Sequence, residues 1–363
     1  MNKLFSWPLG GKPAQPSVPP KRINLALQGG GAHGAFTWGV IDHLLEDGRI
    51  AVDGISGASA GAVNAVMLAD GLARGGPEEA RKRLADFWRA ASIGGNLPDL
   101  QRHVVERLFS MIPVEDSPMR AWLDAVGRLS PFDLAPLQIN PLKQLIEHFV
   151  DFEAIRAETS RPLFISATNV QTGGLRIFTR EEITAEAVMA SACLPLLFRA
   201  VEIDGAAYWD GGYTGNPVLC PFLCATQTED VLVVQIYPAQ RQEVPTTKRE
   251  IMSRISEISF NSSLMAELRA AKFVTRLIDE GKLPRGTAPG EYRRINMHRI
   301  RLDGMDDTLD AASRLKNSYE FFSMLHALGQ RAAQQFLAEH FDDLGARGTI
   351  DVEAEAGAEH VHA

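Results

Sequence analysis

The chain has 363 residues, 45% of them apolar and 7% aromatic, and a formal charge of −8 at pH 7. That length and apolar share allow a substantial core, in one large α/β domain or two smaller ones. The acidic balance argues against a nucleic-acid backbone as partner, which needs a basic face. Three cysteines, Cys193, Cys220 and Cys224, are too few for a disulfide framework and suggest a reducing compartment.

In chain order, residues 1–22 read as a flexible Pro-rich leader. Pro8 breaks its apolar cluster before it reaches the length of a secretory signal, and no run of about 18 apolar residues marks a membrane span. A cytoplasmic protein is expected, with Leu4, Phe5, Trp7 and Leu9 beside Lys3 and Lys12 as the leader's route to peripheral membrane contact. Residues 23–28 predict a strand. A helix follows over 32–47, where Phe36, Val40, Ile41, Leu44 and Leu45 recur at helical spacing. A second strand, AVDGIS, ends at Gly57-Ala-Ser-Ala-Gly61 and leads into the helix AVNAVMLAD. This is a βαβ unit. Its crossover joins parallel neighbours, so the loops after the two strands should lie side by side, with the glycines next to Ser59.

Residues 74–156 read as mostly helical, with the Pro-punctuated insertion at about 94–141 as a candidate cap over a site. Two hairpins follow. The first pairs 162–170 with 175–180, and the second pairs AVEI with AAYW through Asp204-Gly205, closing on Asp210-Gly211-Gly212. Between them lies a helix over 182–192. VLVVQIYP (231–238) has the continuous apolar character of a buried parallel strand. Helices over 250–280 and 308–341, with a strand at RINMHRIRL between them, form a C-terminal helical extension (241–345) packed on the preceding α/β domain (23–240), and 346–363 is an acidic solvated tail.

The spacing Gly29, Gly31, Gly34 is a literal G-x-G-x-x-G. A dinucleotide site would need an acidic side chain at the end of the second strand to hold a ribose, and that strand ends in GASAG. Gly57-Ala58-Ser59-Ala60-Gly61 is instead G-x-S-x-G between a strand and a helix, the setting of a nucleophile elbow. The sharp turn strains the serine, so its flanks must lack bulk. Glycine amides at a helix N-terminus beside such a serine suit an oxyanion hole. Three late histidines, His298, His326 and His340, are available as a base, but each falls inside a strand or helix pattern. Asp210 stands at a strand end, in a glycine turn within reach of Ser59. Cys220 and Cys224 lack further ligands nearby for a zinc set, and attack by an activated serine needs neither a metal nor an organic cofactor, so none is expected.

These residues resemble the patatin-like phospholipases, through GGGAHG (29–34), GASAG (57–61), ASACLPLLF (190–198) and DGG (210–212), in order over about residues 23–220. The resemblance implies a three-layer α/β/α patatin-like fold with a mainly parallel central sheet. It implies Ser59 as nucleophile, Asp210 as its base and the backbone of Gly29, Gly30 and Gly31 as oxyanion hole, with Gly34, Gly57, Gly61, Gly211 and Gly212 as motif glycines. The implied activity is hydrolysis of lipid acyl esters through an acyl-enzyme, with a lipid or acyl ester as partner. The alternatives are a Ser-His-Asp esterase and a lipid-binding or regulatory protein without turnover. The sequence departs from the family pattern at His33, where many members carry Arg or Lys; this bears on how a head group or the glycine loop is held.

Overall fold

β1 (Lys21–Leu27) is buried from Ile23 onward and alternates between two cores. Leu25 and Leu27 pack on one face of the sheet and Ala26 on the other. β7 (Asp230–Gln235) does the same, with Leu232 and Val234 on the first face and Val231 and Val233 on the second. A strand flanked by helices on both faces has no polar side, which is why these segments read as continuous apolar runs. In the computed structural model, the described residues are 19–92 and 141–350, apart from 196, 239, 242, 287, 289, 303–312, 314 and 315. The expected cap, except for Pro141, lies outside them, as do most of the leader and residues 351–363 of the tail.

The other strands are β2 (Ile50–Gly57), β3 (Leu163–Asn169), β4 (Leu175–Thr179), β5 (Val201–Ile203), β6 (Ala206–Asp210) and β8 (Asn296–Arg301). They form one sheet in the order β5-β6-β3-β2-β1-β7-β8, with β4 paired to β3. The β3-β2-β1-β7-β8 ladder is parallel; β4 and β6 run antiparallel to β3, and β5 antiparallel to β6. Both expected hairpins form, and the sheet is mainly parallel.

On the first face lie α1 (Gly34–Asp47), α2 (Ala60–Ala91, broken at Gly76 with φ 75°), α3 (Pro141–Phe149), α4 (Phe152–Ala157), α5 (Ala185–Ser191) and, in part, α8 (Tyr319–His340). On the second lie α6 (Phe222–Ala225) and α7 (Lys248–Asp279). The layers are helix, sheet, helix, the expected α/β class. Beyond residue 240 the chain adds a strand as well as helices to this unit, because β8 pairs with β7 in register from Asp230↔Asn296 to Gln235↔Arg301. α8 meets α1 at a glycine crossing. A Cβ on Gly39 would lie 2.0 Å from the His326 carbonyl oxygen, and one on Gly329 would lie 2.1 Å from that of Phe36.

Two element ends differ from the sequence expectation. β7 stops at Gln235, short of 238, because the Ile236 and Tyr237 N–H groups donate to Gln28 Oε1 (2.7 and 2.9 Å). α8 starts at Tyr319, well after 308, with Ser318 accepting the Phe321 N–H as N-cap.

Candidate active site

β1 and β2 end side by side, with Leu27 opposite Gly57. The chain leaving β2 turns at Ser59, whose backbone sits at φ 53° and ψ −124°. An L-residue pays of order 1–3 kcal/mol for such a conformation. The glycines around it are required by close approach. A Cβ on Gly57 would lie 2.5 Å from the Gly61 carbonyl oxygen, and one on Gly61 would lie 2.0 Å from that of Leu27. The turn presents a half-buried serine at the N-terminus of α2.

The glycine stretch after β1 abuts this elbow. A Cβ on Gly29 would come within 2.6 Å of Ser59 Cβ, and one on Gly34 within 2.8 Å of Ala60 Cβ. The 3₁₀ turn Gly31–His33 opens α1, so two helix N-termini converge beside Ser59. The three glycines expected to form the oxyanion hole are not equivalent. Gly29 donates its N–H to Asn216 Oδ1 at 2.7 Å. Among the described residues, the Gly30 and Gly31 amides have no backbone or side-chain acceptor. Gly31 holds φ 59° and is exposed.

Asp210 ends β6, fully buried. Its N–H donates to the Cys193 carbonyl (2.8 Å), and its carbonyl accepts the Thr168 hydroxyl (2.8 Å). Its Oδ1 accepts the Gly212 N–H at 2.7 Å, which holds the carboxylate plane. Gly211 and Gly212 cannot carry side chains: a Cβ would meet the Ser166 carbonyl oxygen at 2.2 Å or the Phe260 ring at 2.2 Å. Oδ2 is buried, with no hydrogen-bond partner among the described residues. Burial pushes the carboxyl up to about 6, against the lowering effect of the Ser59 hydroxyl and the Gly212 N–H. The Ser59 hydroxyl thus counters the effect of burial on Asp210, while no Ser59–Oδ2 hydrogen bond is formed. Loose contacts of this kind are usual before substrate binds. Among the described residues no cation contributes to the balance at Asp210.

The motif block 190–198 lies between the two residues. Ser191 Oγ accepts the Ser59 N–H at 2.9 Å, and the Cys193 carbonyl accepts the Asp210 N–H. Ser191 is a site residue the sequence reading did not single out; its signal was the ASACLP block itself. Asn216 was missed for lack of any local pattern. Gln28 was missed as well: it binds Ile236 and Tyr237 with its oxygen, and Asn261 of α7 with its Nε2 (3.1 Å).

The histidines are engaged elsewhere. His298 Nε2 meets Asp230 Oδ1 at 3.0 Å toward the amino ends of β7 and β8, His326 lies against Asp42 and Trp38, and His340 pairs with Asp343. His33 is buried, with its Nε2 2.8 Å from Ser313 Oγ and its ring beside Phe321. It therefore ties the glycine loop to the segment before α8. Among the described residues no three His, Cys, Asp or Glu side chains cluster as metal ligands, and no helix is long and apolar enough to cross a membrane.

The family model for patatin-like phospholipases matches residues 25–223, a span that runs from β1 through the elbow and the Asp210 turn into α6. The chain belongs to the patatin-like phospholipase family. Among solved structures it is similar to VipD from Legionella pneumophila (15% identity, 88% of this chain and 67% of that one, TM-score 0.36). It is similar to the type III effector ExoU (16% identity, 88% and 54%, TM-score 0.36) and to full-length ExoU in complex with SpcU from Pseudomonas aeruginosa (15% identity, 93% and 76%, TM-score 0.28). The chain thus spans about half of the first of these ExoU chains. No curated protein matches the chain significantly. For a patatin-like phospholipase the activity class is lipid acyl hydrolysis.

Proposed function

We propose that this patatin-like protein is a serine hydrolase that cleaves carboxylic esters of phospholipids or lysophospholipids through a Ser59–Asp210 dyad. The observation that carries the reading is the buried Asp210 carboxylate, with no cation and no partner for Oδ2 among the described residues, beside a serine held in a strained elbow. Asp210 takes the hydroxyl proton as Ser59 Oγ attacks the ester carbonyl. The Gly30 and Gly31 amides receive the oxyanion, because Gly29 is already committed to Asn216. Asp210 then returns the proton to the leaving alcohol, giving an acyl-enzyme. A water molecule, deprotonated by the same carboxylate, releases the fatty acid and restores Ser59.

A base lifted to about 6 is stronger than an ordinary aspartate yet still ionised at neutral pH, which is the compromise general-base catalysis favours. His298, His326 and His340 favour this reading over a Ser-His-Asp triad by lying against other carboxylates. The test is fluorophosphonate labelling together with hydrolysis of acyl esters of varied chain length and head group. Labelling and turnover should both vanish in Ser59→Ala. Labelling that persists in Ser59→Ala, or Asp210→Asn turnover equal to wild type, rejects the dyad.

A further inference from the structure

α7 has its polarity reversed in its N-terminal half. Ser253, Glu257 and Asn261 are buried, while Ile251, Ile255 and Ile258 are 42–53% exposed. Buried polar groups persist where they are bonded, and the bonds of this face lead to the candidate active site. Glu257 accepts from Arg241 at both oxygens (2.9 and 2.8 Å), which pins the segment after β7 to the helix. One turn later Asn261 Nδ2 donates to the Pro238 carbonyl of that segment at 2.8 Å. Its Oδ1 accepts from Gln28 Nε2 (3.1 Å) and Gln235 Nε2 (3.3 Å). Gln28 is the residue before the glycine loop. With Oε1 on the Ile236 and Tyr237 N–H groups and Nε2 on Asn261, its amide is fixed at both ends. Ile236 backs the loop: a Cβ on Gly30 would lie 2.9 Å from Ile236 Cγ2.

Phe260, the neighbour of Asn261, reaches the other half of the site. Its ring packs on Gly212 of the Asp210 turn, where a Cβ would come within 2.2 Å. Its carbonyl oxygen lies 3.5 Å from Nδ2 of Asn216, the residue whose Oδ1 holds the Gly29 N–H. Two consecutive residues of α7 therefore support both the glycine loop and the turn that carries Asp210. They lie beyond residue 223, where the match to the family model ends. We propose that Asn261 is a positioning residue: acting through Gln28, it fixes the Gly30 and Gly31 amides relative to Ser59 and Asp210. The inference rests on the Ser59–Asp210 reading above. Oxyanion donors stabilise the transition state because they are placed before the charge develops. Misplacing the loop by about an ångström weakens that effect. A group that acts only on the transition state shows its loss in kcat, with KM little changed.

The test uses the full chain and a water-soluble short-chain acyl ester. Asn261→Ala should lower kcat about tenfold with KM within about twofold of wild type. Gln28→Ala should do the same, and the double variant should be no slower than the slower single one, since the two residues form one connection. Asn261→Asp keeps the acceptor for Gln28 and should recover at least about threefold of the loss. Glu257→Gln loosens the same half of α7 without touching Gln28; it should unfold at lower urea yet keep kcat within about twofold. Asn261→Ser takes the place of the alanine variant, under the same criteria, if that one does not fold. A wild-type kcat in Asn261→Ala overturns the proposal, as do losses that multiply in the double variant or an equal loss in Glu257→Gln. If wild type turns over no ester, or Ser59→Ala retains turnover, the dyad reading fails and this role falls with it. If Ser59→Ala is inactive and Asn261→Ala matches wild type, the positioning role alone is rejected.

Discussion

Two buried aspartates in one sheet are pushed in opposite directions. Asp230, at the start of β7, accepts from the His298 ring (3.0 Å), the Gly345 N–H (2.8 Å) and the Asn296 amide (3.2 Å). Burial alone would raise its pKa, but these partners more than offset it and hold the carboxyl below the ordinary range. Asp210 is buried at least as deeply, has among the described residues only the Gly212 N–H and the Ser59 hydroxyl to set against that burial, and is pushed up to about 6. A carboxylate whose lone pairs are saturated is a structural anchor. One left half-satisfied beside a hydroxyl is, in the proposed dyad, the base, held at a cost in stability.

The largest effects that would break this comparison are on turnover. If Ser59 and Asp210 form the proposed dyad, Ser59→Ala and Asp210→Asn should each lower kcat/KM for an acyl ester by about 10³–10⁴-fold, because members of a dyad act as a unit. Steady-state assays should find the two losses similar.

Stability should move the other way at Asp210. Its folded pKa lies above the unfolded value of 3.8, so the folded state holds a proton that the unfolded state has lost between roughly pH 4 and 6, and stability falls as pH rises through that window. Above it the penalty is on the order of 3 kcal/mol. Asp210→Asn keeps an acceptor for Gly212 and should gain up to about that much at pH 8 by urea unfolding, and nothing below pH 4. Asp230 has a lowered pKa, so its contribution is present above the unfolded value and is lost as pH falls through the folded one. Asp230→Ala should destabilise by about 1–3 kcal/mol at pH 7 while leaving the pH profile of kcat/KM in place.

Smaller effects sharpen the picture of the site. Asn216→Ala frees the Gly29 N–H and should cost about 10–100-fold in kcat with little change in KM, since the oxyanion loop loses its anchor. The kcat/KM of wild type should fall tenfold per unit below about pH 6, following the base, and a profile flat to pH 4.5 would contradict Asp210 in that role. Ser191→Ala removes the acceptor for the Ser59 N–H and should cost about threefold to tenfold in kcat, with the apparent pKa unchanged.

Much of the fold was legible because it depends on local patterns. The continuous apolar runs of β1 and β7, the helical spacing of α1 and the turn residues of both hairpins each report burial on short segments. The elbow was legible for the same reason, since G-x-S-x-G writes a steric requirement into five consecutive residues. The distinction among Gly29, Gly30 and Gly31 was not, because it turns on Asn216, nearly two hundred residues away in the chain. Nor was His33 readable as a buried contact of Ser313, since nothing local marks the far partner. The reversed polarity of α7 was hidden too: a period of 3.6 tells that a helix has two faces, but not which one the sheet covers.

The sequence by itself determined the α/β class, the order of the motifs and which residues are candidates for the chemistry, because sterics of turns and the periodicity of burial act over a few residues. Tertiary structure alone decided which amides stay free, which of two buried aspartates is left unsatisfied, and which side of α7 meets solvent. Those are properties of partners brought together across the sheet, and a carboxylate's basicity is set by the hydrogen bonds and dielectric around it, not by its place in the chain.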